Sequence, residues 1–176
     1  MLWDAVEQRG LKALFARSAD FYGPSIIGPS FLMGAVFEPL SAGKTANWLM
    51  IDQVKHSFTF TPDAGKATAL LGNTTSAYGE TWHLPTAKDP LTGKEWVENI
   101  AREMGVKLKY RVVGKTMMKF IGLFSSTMRE SYEMLYQYDK DYVFNSNKFE
   151  ENFSFAPTPY LEGIRQIIER DYRKKL

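Results

Sequence analysis

The order of apolar and polar residues divides the chain into short strands that alternate with amphipathic helices. Met1 to Gln8 reads as a helix ended by Arg9-Gly10, and Leu14-Phe15-Ala16 as a buried strand that stops at Arg17, ahead of a Gly23-Pro24 turn. A loop, a short helix from about Ser30 to Glu38 and a second loop through Ser41-Ala42-Gly43-Lys44 follow. His56 to Thr61 alternates strictly, which predicts a half-buried strand with Phe58 and Phe60 on its inner face. Asp63 then stands where it can cap a helix from Ala64 to Leu71, stopped by Gly72-Asn73.

The second half repeats these themes. Thr81-Trp82-His83-Leu84-Pro85 is a second short strand after the Tyr78-Gly79 turn. Thr92 and Glu95 have capping-box spacing ahead of a helix with Trp96, Val97, Ile100, Ala101 and Met104 on one face, and Gly105 ends it. Leu108, Tyr110 and Val112 alternate with Lys107, Lys109 and Arg111 as a surface strand with one basic side. Met117 to Phe124 reads as an apolar helix, and another starts at Ser126 or Thr127, with Met128, Tyr132, Leu135 and Tyr136 sharing a face. Asp139-Lys140-Asp141 ends it, Tyr142-Val143-Phe144 is extended, and Asn145 to Lys148 turns into a short helix. Thr158 as N-cap and Pro159 at the first helical position open a closing helix that carries Leu161, Ile164, Ile167, Ile168 and Tyr172.

A helix, a tight turn and an apolar strand form the repeating unit of a parallel α/β sheet. Ligands of such sheets bind beyond the carboxyl ends of the strands, which puts Ser18, Asp20 and Tyr22 at a candidate site.

Composition narrows the classes. The 176 residues suit one domain with a real core, and 44% hydrophobic with 24% charged residues is ordinary globular composition. A net charge of +2 argues against nucleic acid, since the cluster Arg170, Arg173, Lys174 and Lys175 sits where a helix C-terminus favours cations. There is no cysteine, no signal-peptide pattern and no run of about 20 apolar residues, so the chain reads as soluble, untargeted and cytoplasmic. The aromatic share of 14% suits a lined pocket and a core equally.

Several chemistries lack their residues. Gly43-Lys44-Thr45 is not a phosphate loop, because Glu38 occupies the position of its first glycine. His56 and His83 have no carboxylate at metal-ligand spacing, no G-x-S-x-G occurs, and Glu130 with Glu133 and Glu150 with Glu151 read as solvated pairs. No glycine fingerprint joins a strand to a helix, so a dinucleotide pyrophosphate finds no cradle in this chain.

Four blocks taken in order carry a family resemblance: Arg17 through Pro24, His56 through Asp63, Trp82-His83-Leu84-Pro85, and Ser146 through Phe149 with Thr158-Pro159. They resemble the second half of the NAD-dependent epimerase/dehydratase family, the extended branch of the short-chain dehydrogenases. The resemblance implies a Rossmann-like doubly wound α/β fold of which residues 1–176 are one partial domain. That domain would hold the last two parallel strands, near Ala13 to Arg17 and Thr81 to Leu84, and a small mixed α+β substrate-binding lobe. The glycine fingerprint and the family's Tyr-x-x-x-Lys pair are missing, Met1 falling a few residues beyond the expected lysine, so the chain is not expected to catalyse alone.

By position the resemblance makes Phe21, Tyr22, Gly23 and Pro24 the lining of the nicotinamide end of NAD or NADP. Ser18, Asp20, His56 and Ser57 become substrate contacts. Asp20 stands where many members have a substrate-contacting asparagine, and His56 where nucleotide-sugar epimerases have an arginine for the diphosphate. An imidazole with an ordinary pKa of about 6.5 is a poor diphosphate clamp at pH 7, which points to a smaller, less charged substrate. The implied partners are a small-molecule substrate and either an N-terminal Rossmann half or a second copy, because a strand like Leu14-Phe15-Ala16 otherwise leaves an open edge. A standalone module that binds a small ligand or a partner without chemistry stays open as the alternative.

Overall fold

The computed structural model describes residues 10–26, 30–114 and 135–173, together with Val6, Gln8 and Met117. The opening helix expected over Met1 to Gln8 falls largely outside these residues. So do the two helices expected between Met117 and Tyr136, apart from the turn noted below.

The first half runs β1 (Phe15–Arg17), β2 (Asp20–Tyr22), a helical stretch α1 over 31–41, β3 (Ala46–Leu49), β4 (Phe58–Phe60) and α2 (Thr61–Gly72). After it come β5 (Thr81–His83), α3 (Gly93–Met104), β6 (Tyr110–Val113), a 3₁₀ turn (Leu135–Tyr138), α4 (Asn147–Phe153) and α5 (Tyr160–Ile167), which continues as a π turn to Tyr172. The strands form three parallel pairs, β1 with β5, β2 with β4 and β3 with β6.

Strand β1 differs from its expectation of burial: Phe15 is half-buried, and Ala16 and Arg17 are exposed. The reason is its single neighbour. Phe15 donates its N–H to the Glu80 carbonyl and Arg17 accepts from Leu84, so the intervening Ala16 turns its backbone to the opposite edge, where no described strand lies.

Chain continuity hides β2 and β3 from periodicity. Only Ser18 and Ala19 separate β1 from β2, yet β2 pairs with β4 instead of β5, and the Ala19 N–H bonds the Thr59 hydroxyl at 3.1 Å. The alternation in β4 also has a different meaning from a half-buried strand. Phe58, Thr59 and Phe60 are all buried, because the Thr59 hydroxyl is satisfied internally by Thr86 at 2.8 Å.

Helix α1 passes the expected stop at Glu38. A π turn over Met33–Phe37, in which the Glu38 N–H reaches the Met33 carbonyl, widens the helix just ahead of Pro39, which has no N–H to give. The capping box of α3 forms as the spacing predicts. Thr92 N–H donates to Glu95 Oε2 at 2.8 Å, Glu95 N–H returns to Thr92 Oγ1 at 3.3 Å, and Gly105 closes the helix at φ 69°.

Asp63 is not a cap. It lies in the first turn of α2, two per cent exposed, and accepts the Thr158 N–H at 2.7 Å and the Thr158 hydroxyl at 3.0 Å. Thr158 is accordingly held by Asp63, and Pro159 takes the N-cap position of α5. This strap docks α5 on the core, where Ile164 and Ile167 meet Tyr22, Phe58, Trp96 and Ile100. A second cluster of Ala67, Leu71, Trp82, Leu84 and Phe149 packs α2 and α4 around β5.

Candidate functional site

Strand β2 delivers Asp20 beside the entrance to β4, and three side chains from distant parts of the chain meet there. Asp20 Oδ2 accepts from His56 Nε2 at 3.1 Å and from the Tyr138 hydroxyl at 3.0 Å. His56 is 1% exposed while the Asp20 side chain keeps 40% of its surface. The carboxylate thus forms the face of the trio, with the imidazole and the phenol behind it.

His56 is fixed on every side. Its backbone N–H bonds the Leu91 carbonyl at 2.9 Å, its carbonyl accepts Trp96 Nε1 at 3.1 Å, and it bridges to Tyr142. Its ring stacks on Tyr138 at 4.4 Å and 12°, with Phe58 at 4.7 Å and Tyr142 at 5.0 Å. Since a carboxylate only accepts, Nε2 carries the hydrogen, and Nδ1 is buried without a partner among the described residues. Tyr138, at the end of the 3₁₀ turn, also packs edge-on against Phe31 and Trp48.

The electrostatics follow from this packing. Burial works to raise the Asp20 carboxyl, and the hydrogen bond and charge of His56 with the Tyr138 hydroxyl outweigh it, leaving it below its ordinary value. Burial, and then the Asp20 charge, push the Tyr138 phenol far upward, so it remains a neutral donor.

A buried polar chain supports the floor. Thr59 bonds Thr86, Thr86 N–H donates to Ser146 Oγ at 3.0 Å, and Ser146 donates to Glu150 Oε1 at 2.8 Å. Ser57 belongs to this interior: it is fully buried, and its hydroxyl oxygen accepts the Phe144 N–H at 3.0 Å. Ser18 is half-buried between β1 and β2.

The four residues at the end of β2 divide in two. Phe21 is 43% exposed and Pro24 is half-buried. Tyr22 is wholly buried among Phe58, Phe60, Trp96 and Tyr160. Gly23 lies against the first turn of α2, where a Cβ would stand 1.8 Å from Thr61 Oγ1. Of these four residues, Phe21 and Pro24 therefore reach the surface, and Tyr22 and Gly23 lie behind them. A separate groove of about 980 Å³ runs between α1 and the end of α5, lined by Ser25, Met33, Glu38, Arg170 and Asp171 among others, and shares none of the trio.

Tyr138 is the site residue that sequence reasoning missed. It meets Asp20 across 118 positions and lies just beyond the last aromatic assigned to the preceding helix, so no local pattern marks it. His83, at the end of β5, bonds the Asn145 carbonyl at 2.7 Å and stays apart from the trio.

The architecture is that of a partial Rossmann-like α/β fold. No protein-family model and no curated protein sequence matches the chain. Among solved structures, UDP-glucose 4-epimerase from Thermotoga maritima, determined with UDP-glucose, superposes with a TM-score of 0.74 at 16% identity over 98% of this chain and 50% of its own. The Thermus thermophilus UDP-glucose 4-epimerase in complex with NAD gives 0.70 at 14% identity over 96% and 49%. A dTDP-glucose 4,6-dehydratase from Streptomyces venezuelae, with NAD bound, gives 0.70 at 17% over 98% and 47%. The chain spans about half the length of these proteins, and at such identities the likeness is one of fold. Among the described residues, no helix is long and apolar enough to cross a membrane.

Proposed function

We propose that residues 1–176 are the substrate-binding portion of an NAD(P)-dependent oxidoreductase or epimerase, completed by a dinucleotide-binding half. The observation that carries this reading is the Asp20, His56 and Tyr138 trio. Asp20 of this trio follows the end of β1 after only Ser18 and Ala19, and the outer edge of β1 has no described neighbour. A fold shared over nearly the whole of this chain with one half of NAD-dependent enzymes supports it.

In this reading Asp20 and Ser18 face the substrate, with His56 and Ser57 holding the wall, and Phe21 and Pro24 border the nicotinamide end. The bound nicotinamide would exchange hydride with the substrate. This chain's residues orient the substrate and hold Asp20 as an acceptor.

Calorimetric titration of the purified chain with NAD(H) and NADP(H), alone and mixed with a separately expressed dinucleotide-binding half, tests it. The expected outcome is no binding alone, with binding and turnover on mixing. Tight binding by the chain alone would overturn the division of labour, since it requires a phosphate cradle within these residues.

A further inference from the structure

We infer that this site chooses its ligand through the second oxygen of Asp20, and therefore receives a hydroxyl or amino group of the ligand there and rejects a phosphate at that position. The inference rests on the substrate-binding reading above and names the substrate class.

His56 is 1% exposed, its Nε2 is committed to Asp20, and its ring is covered by Tyr138, Phe58 and Tyr142. The Tyr138 hydroxyl donates to the same oxygen, Oδ2. Oδ1 makes no hydrogen bond among the described residues, and it belongs to a side chain that is 40% exposed. What the trio turns outward is thus one anionic acceptor.

Its direction is set in advance. Two donors on Oδ2 hold the carboxylate plane, and Asp20 stands in register opposite Phe58 of the buried strand β4, with the approach of the two strands pinned by the Ala19 N–H on Thr59. A carboxylate accepts and cannot donate, so its partner on a ligand is an O–H or N–H. An ammonium gains charge attraction as well, a neutral hydroxyl gains the hydrogen bond alone, and a phosphate is repelled. His56 and Tyr138 are positioning residues in this scheme and do not touch the ligand.

A charge series on one sugar ring provides the test. D-glucosamine, D-glucose and glucose 1-phosphate are titrated into the ¹⁵N- and ¹³C-labelled full chain, following the amide of Asp20 and the ring of Tyr138. The expected order is glucosamine about tenfold tighter than glucose, with glucose 1-phosphate weakest. Asp20→Asn, whose amide oxygen would take the His56 and Tyr138 donors and turn an N–H outward, should abolish both the preference for glucosamine over glucose and the penalty on glucose 1-phosphate. Tyr138→Phe should raise the midpoint of the Asp20 carboxyl ¹³C titration and shrink the glucosamine preference, a readout that loss of packing alone does not produce.

Glucose 1-phosphate binding as tightly as glucosamine at these signals, or an order unchanged in Asp20→Asn, overturns the inference and leaves the substrate-binding reading standing. No response of these signals to any of the three sugars overturns both.

Discussion

Truncating Asp63 separates two accounts of the same residue. As a helix cap its replacement by alanine would cost about 1 kcal/mol and act independently of the far end of the chain. The structure instead shows a carboxylate, 2% exposed, taking the N–H and the hydroxyl of Thr158 at 2.7 and 3.0 Å. Hydrogen bonds to a charged group contribute about 1.5–3 kcal/mol each, and truncation also relieves the cost of keeping that charge from water, so Asp63→Ala should lose about 3 kcal/mol in all. In a protein of this size that lowers Tm by about 6–12 °C.

Urea unfolding followed by tryptophan fluorescence measures the loss, and a cycle with Thr158→Val isolates the hydroxyl, with an expected coupling of about 1 kcal/mol. Asp63→Asn should recover more than half, because its amide oxygen accepts the Thr158 N–H and its N–H donates to the Thr158 hydroxyl, which can accept as well as donate, so that chiefly the charge is lost. A loss near 1 kcal/mol with an additive cycle would refute the strap and restore the cap.

Three further outcomes follow from close packing and from burial. Gly23→Ala sets a Cβ 1.8 Å from Thr61 Oγ1 and 3.0 Å from Thr61 Cβ, so it should destabilise by about 1–3 kcal/mol, with partial recovery in Thr61→Ala; a wild-type melt of Gly23→Ala would contradict the contact. Tyr22→Phe removes a buried hydroxyl with no partner among the described residues, so stability should stay within about 0.5 kcal/mol or rise. It should also ease Gly163→Ala, whose Cβ meets that hydroxyl at 2.5 Å; a marked loss in Tyr22→Phe, measured by denaturant midpoint, would reveal a bond to the hydroxyl. Alkaline stability carries a definite sign. Burial pushes the Tyr160 phenol up to about 12, and Tyr138 is raised as well. The unfolded chain releases these protons near pH 10, about two pH units before folded Tyr160 does, so it binds fewer protons in that window and stability should fall from about pH 10 upward. Denaturant midpoints that stay level between about pH 10 and 12 would count against that burial.

What the sequence by itself determined were the local elements and one neighbourhood. The α3 capping box and its glycine stop, strands near Phe58 and Thr81, and the short helix after Ser146 are written in spacing, because each depends on residues within a few positions of one another. Asp20 also stood out from sequence, since it closely follows an apolar strand.

The tertiary structure decided the partners. That β2 leaves β1 to pair with β4 depends on the Thr59 hydroxyl reaching back to Ala19, a contact without a local signature. Asp63 meets Thr158 across 95 positions and Tyr138 meets Asp20 across 118, and nothing near either acid reveals which donors it will find. Periodicity reports which face of an element is buried; which side chains meet inside is fixed only when the faces pack, because hydrogen bonds across the core answer to three-dimensional distance and not to spacing along the chain.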